Sequence, residues 1–91
     1  MAIARTDITN DQWYLIGDNV SSITFQCAST APIQVAITTN SSQPDLDSPG
    51  LIYNRFEGEL KRNLVDLTYL SLPTHVWVKP LSSNATVIYD S

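Results

Sequence analysis

Residues 19–28 read "NVSSITFQCA". From Ser21 onward, Ser21, Ile23, Phe25 and Cys27 can face one way, and Ser22, Thr24 and Gln26 the other. Successive strand side chains point to opposite sides, so this two-residue period predicts a strand with one buried and one wet face. Residues 32–39, "PIQVAITT", repeat the pattern: Ile33, Val35 and Ile37 alternate with Gln34, Ala36 and Thr38. The polar turn "ASTAP" between them is short, which predicts that the two strands form a hairpin.

The same signals recur along the chain. "QWYLIG" at 12–17 is a short apolar strand closed by Gly17, with "GDN" as its turn. "LIYNRF" at 51–56, "VDLTYLSL" at 65–72, "HVWVKP" at 75–80 and "ATVIYD" at 85–90 each suit a strand. Residues 57–63 read as a loop or single helical turn, with Glu57 and Lys61 at pairing distance. "NSSQPDLDSPG" at 40–50 is the longest loop, and its two prolines and glycine place it on the surface. The first dozen residues, "MAIARTDITNDQ", show no clear period and read as an extended arm ordered against a neighbour.

The expected architecture is therefore all-β: a small antiparallel β-sandwich or barrel of about seven short strands. An N-terminal arm over 1–12 precedes a single domain over 13–91. The core is expected to hold Trp13, Leu15, Ile23, Phe25, Cys27, Ile33, Val35, Ile37, Leu51, Leu67, Tyr69, Val76, Val78, Val87 and Tyr89. The last strand, running straight into the chain end, is expected at a sheet edge, where another subunit can add pairing.

With 91 residues the chain makes one domain with a thin stability margin. A single cysteine, Cys27, rules out a disulfide within the chain. On the apolar face of its strand it reads as a small buried hydrophobe. Subunit association is the remaining source of stability. A net charge of −4 with scattered basic residues argues against nucleic acid. No apolar run approaches membrane-spanning length, and the first residues lack the hydrophobic segment of a secretory signal, so cytoplasmic synthesis is expected.

Catalytic signals are sparse. His75 is the single histidine, and at a strand start it reads as a solvated turn residue. No G-x-S-x-G elbow or glycine-rich phosphate cradle occurs. Asp45 and Asp47, and Glu57 and Glu59, read as solvated loop charge. A surface Ca²⁺ site at Asp45 and Asp47 is the sharper alternative, although the complete calcium-loop pattern with its closing Glu is absent. No cofactor is implied. Trp77 lies between Val76 and Val78, so it faces outward if the valines face the core; with the register reversed, Trp77 is itself core. Tyr14 alternates in the same way against Trp13 and Leu15. Outward aromatics are candidate contact residues.

The order of these segments resembles small β-sandwich virion proteins of tailed bacteriophages, the head decoration or cement type. The matching stretches are Ser22 to Gln26 ("SITFQ"), Ile33 to Thr38, Ser42 to Gly50, Val76 to Lys79 ("VWVK") and Ala85 to Tyr89 ("ATVIY"). The resemblance implies a non-enzymatic structural protein of the virion, made in the bacterial host cytoplasm. It implies binding to the major capsid protein or another virion protein, and assembly as a homo-oligomer, with a trimer favoured. No catalytic residue is carried over. The expected contact residues are Ile3 and Arg5 in the arm, Trp13, Tyr14, Asp45 and Asp47, and Trp77. The alternative is a receptor- or carbohydrate-binding module of a phage tail or fibre component. A small hydrolase is a third reading, and it needs His75 in a cleft.

Overall fold

A computed structural model describes residues 3–9, 11–68, 70 and 72–90. The chain forms eight strands: β1 (Ile3–Ile8), β2 (Tyr14–Gly17), β3 (Ser22–Cys27), β4 (Ile33–Thr38), β5 (Leu51–Tyr53), β6 (Gly58–Asn63), β7 (His75–Pro80) and β8 (Ala85–Asp90). One 3-10 turn, Leu64–Asp66, follows β6. Among the described residues no helix is long and apolar enough to cross a membrane.

The pairing is nested. β4 pairs with β5, β3 with β6, β2 with β7 and β1 with β8, all antiparallel. This is one long ribbon whose tip is the loop 39–50. The ribbon then rolls, bringing β8 against β3 and β7 against β4. Two four-stranded sheets result: a front sheet in the order β1-β8-β3-β6 and a back sheet in the order β2-β7-β4-β5. That strand order is the wrapping of an eight-stranded jelly roll.

The core lies between the sheets. Ile8, Ile23, Phe25, Cys27 and Val87 enter it from the front sheet, and Ile16, Ile33, Val35, Val76 and Val78 from the back. Leu64 seals one end from the 3-10 turn, whose first N–H donates to Ser21 O at 2.9 Å. Tyr53 of the back sheet meets Phe25 edge-on, ring centroids 4.9 Å apart, and donates its hydroxyl to Glu59 Oε2 at 2.9 Å. This ties β5 to β6 across the open side of the sandwich. Burial first, and the Glu59 bond second, push the Tyr53 phenol above its usual range.

Several expectations from the sequence are corrected. Residues 3–8 of the expected arm form strand β1, and Ile8 is fully buried; residues 1, 2 and 10 lie outside the described residues. β3 and β4 are not a hairpin, because the rolled ribbon sends them to different sheets. β8 is not an edge; it lies between β1 and β3. The polar stretch 58–63 is a strand, whereas 64–66 is a 3-10 turn in place of the start of the strand expected over 65–72. Tyr69, expected in the core, lies outside the described residues. Leu15 and Leu51 are exposed, because β2 turns Tyr14 rather than Leu15 inward and β5 is a short edge.

Candidate docking face

The two outer faces are treated differently by the chain. On the back sheet, β7 alternates Val76 and Val78 into the core with His75, Trp77 and Lys79 on the outer side, yet all are buried. The loop after β4 supplies the cover. Trp13 donates its indole N–H to Asp45 O at 2.8 Å and its backbone N–H to Gln43 Oε1 at 3.2 Å. Trp77 donates its indole N–H to Thr38 Oγ1 at 2.9 Å. The Lys79 ammonium lies 5.8 Å from the Trp13 ring centroid and reaches Pro80 O at 3.5 Å. A cation over an indole face is attracted by the ring quadrupole.

Trp13 and Trp77, expected as contact residues, are therefore 2% and 5% exposed. Trp13 holds the loop down, and Trp77 is tied to the end of β4 at Thr38. Tyr14 packs against the core, with its hydroxyl 2.9 Å from Thr9 Oγ1. Asp45 and Asp47 are exposed, and Asp45 contributes a backbone carbonyl to the cover. Among the described residues no three His, Cys, Asp or Glu side chains gather as a metal site.

His75 is buried rather than solvated. Its Nε2 lies 3.1 Å from Asp18 Oδ1 and its Nδ1 2.7 Å from Thr74 Oγ1. The three residues tie the turn after β2 to the start of β7. His75 lines neither the groove on the front sheet nor the one between β4 and Leu67, Thr68 and Leu70.

The front sheet's outer face is open. Ile3 is 74% exposed, Leu60 79% and Phe56 64%. With Ile88, Thr24, Gln26 and Asp90 they surround a groove of about 510 Å³. Gly58, also in its lining, lets β6 approach β3 closely, since a Cβ there would sit 1.9 Å from Phe25 O. The strand quoted at the outset supplies the scaffold. Thr24 Oγ1 accepts the Lys61 N–H at 2.9 Å, fixing a bulge in β6 where Lys61 has φ 48°. Gln26 donates its amide to Phe56 O at 3.0 Å, and the Phe56 N–H donates to Cys27 O at 2.8 Å. These bonds hold Phe56 at φ 67°, a left-handed conformation that bulky residues rarely adopt. The Arg55 guanidinium lies 4.6 Å from the Phe56 ring centroid. The polar face of β3 is thus spent on aiming an exposed aromatic and an edge strand.

Comparison with protein-family models, with curated proteins and with solved structures finds no match to this chain. Of the expected contact residues, Ile3 lines the groove and Arg5 is exposed on β1 beside it. Phe56, Leu60, Lys61, Ile88 and Asp90 were not singled out by sequence. Gly58 within a polar run was the available signal, since an isolated strand glycine marks a close backbone approach.

Proposed function

We propose that this chain is a non-enzymatic structural protein of a tailed-phage virion, of the head decoration type. It works by docking the open face of its front sheet on the major capsid protein or another virion protein, and by associating with its own copies. The observation that carries this reading is the asymmetry of the two outer faces. The chain covers the middle of one with its own loop, leaving Leu15 and Ile52 exposed only on its edge strands, and leaves Ile3, Phe56 and Leu60 exposed around a groove on the other. Exposed apolar patches of this kind mark interaction surfaces. The jelly-roll wrapping recurs in viral capsid domains, which supports the reading by analogy of fold alone.

The test is sedimentation of the purified protein with phage shells from the same source. Wild-type protein is expected to travel with the shells. An Ile3→Ser, Leu60→Ser double variant is expected to keep its melting temperature, because both side chains are already in water, and to stay in the supernatant. Wild-type protein that never travels with shells refutes the proposal.

One observation favours a second reading, a carbohydrate- or receptor-binding module of a tail or fibre. Phe56 is held on a fixed turn by Gln26 and lines the same groove as Thr24 and Asp90, an exposed aromatic with polar groups nearby. A glycan array with hits lost on Phe56→Ser supports that alternative, and an array without hits removes it.

A further inference from the structure

The four sheet edges are not equally protected. β6 carries the Lys61 bulge, β2 is shifted in register between Leu15 and Gly17, and β5 is three residues long. Bulges, lysines and short length are how edge strands avoid pairing with another chain. β1 has no bulge, no lysine and full length, and its two charged side chains, Arg5 and Asp7, are of opposite sign. It runs six residues in unbroken register with β8 and contains no proline.

The phase of the ladder shows which backbone groups β1 leaves free. The Ala28 N–H donates to Thr86 O at 2.9 Å, so Thr86, Ile88 and Asp90 direct their backbone groups toward β3. Bonded and non-bonded directions alternate along an antiparallel strand. Ala85, Val87 and Tyr89 therefore face β1, opposite Ile8, Thr6 and Ala4. Ile3, Arg5 and Asp7 are left with N–H and C=O directed out of the sheet, and all three side chains are exposed on the open face.

A second β1 laid antiparallel along this edge has few registers that bond free groups to free groups. Placing Arg5 opposite Arg5, or Asp7 opposite Asp7, sets like charges together. The register between them, centred on Thr6, sets Arg5 opposite Asp7 twice. Each such pair is a bonded one, so four backbone hydrogen bonds accompany two charge pairs. Asp7 is already held on this face by the Thr86 hydroxyl, 2.8 Å from its Oδ1.

We propose that the β1 edge is a homodimer interface, in which Arg5 and Asp7 of one copy pair with Asp7 and Arg5 of the other. The two front sheets then join into one eight-stranded sheet, and two docking grooves share one continuous face. A two-fold axis makes the product a dimer in place of the expected trimer. This deepens the proposed function and rests on it only in taking the protein to act by assembly.

Sedimentation equilibrium over a wide concentration range tests it. Wild-type protein is expected to dimerise reversibly. Arg5→Asp turns two cross-strand attractions into repulsions and is expected to weaken the dimer by roughly tenfold or more. The double variant Arg5→Asp, Asp7→Arg restores opposite charges in the same register and is expected to recover affinity to within about threefold of wild type. Arg5→Pro removes an N–H that makes no bond within one copy, so the fold is expected to melt as before while the dimer is lost. A wild type that stays monomeric, or a dimer indifferent to Arg5→Asp and Arg5→Pro, overturns the inference. Shell binding by a monomer overturns the dimer and leaves the proposed function standing. A β1 dimer that ignores shells does the reverse.

Discussion

Gly58→Ala should damage both the fold and the groove. The added Cβ would lie 1.9 Å from Phe25 O, 2.7 Å from Gln26 Cα and 2.8 Å from Phe25 C. All three atoms are backbone, so no side chain can swing away, and β6 must move off β3. That movement threatens the bonds Cys27 N–H to Glu57 O and Phe56 N–H to Cys27 O, at 2.9 and 2.8 Å. It also threatens the Gln26 amide bond to Phe56 O. Three bonds at a net ~1 kcal/mol each give a loss of about 3 kcal/mol. Replacing glycine by alanine returns about 0.4–1 kcal/mol through the unfolded chain. The net cost is about 2 kcal/mol, which for a domain of this size lowers the melting temperature by roughly 8–16 °C. Thermal unfolding followed by circular dichroism measures it. A Gly58→Ala protein melting within about 2 °C of wild type, by the same scaling, would refute the close approach of β6 to β3. Phe56 hangs from the same bonds, so the variant should also lose shell binding at temperatures where it remains folded.

Other outcomes follow from single contacts. Because the Tyr53 phenol is raised above its unfolded value of about 10, its contribution is intact below that pH and is lost as pH rises past it. Urea titrations above about pH 10 should therefore show wild type losing stability faster than Tyr53→Phe, by at most ~1.4 kcal/mol per pH unit and less with solvent screening; parallel curves would remove the buried phenol from the account. Trp13→Phe deletes the indole bond to Asp45 O and should cost about 1 kcal/mol. It should also speed proteolytic cleavage within 40–48, and an unchanged cleavage rate would mean that the loop is held by something else.

The strands whose two faces differ were legible in the sequence, and those whose faces are alike were not. β3 and β4 show their period because Ile23, Phe25, Ile33 and Val35 alternate with polar residues. β6, "GELKRN", is an edge exposed on nearly every residue, so it carries no hydrophobic alternation. β1 turns Ala4 and Thr6 inward, and residues so small leave almost no signal. Trp77 was correctly placed on the side away from Val76 and Val78. Its burial was hidden, because periodicity reports direction and says nothing of a loop that folds back from another part of the chain. The groove was illegible for a related reason: Ile3, Phe56, Leu60 and Ile88 are far apart in sequence and meet only once the ribbon has rolled.

The nested pairing also sets an order for folding. Direct closure of β1 on β8 would join Ile8 to Ala85, almost the whole chain apart, and the entropy cost of a loop rises with its length. Pairing β4 with β5 closes only the 39–50 tip. Each pair formed then brings the next two strands within reach, the longest of these connections being that over 64–74 between β6 and β7, so the cheapest route zips from the tip toward the termini. Contacts near the tip belong to the early nucleus, and those of β1 form last. Mutational φ-values should accordingly fall from β4 and β5 toward β1 and β8. On this order the unguarded edge strand is the last to be laid down, which keeps it from pairing with other chains until the sheet beneath it is complete.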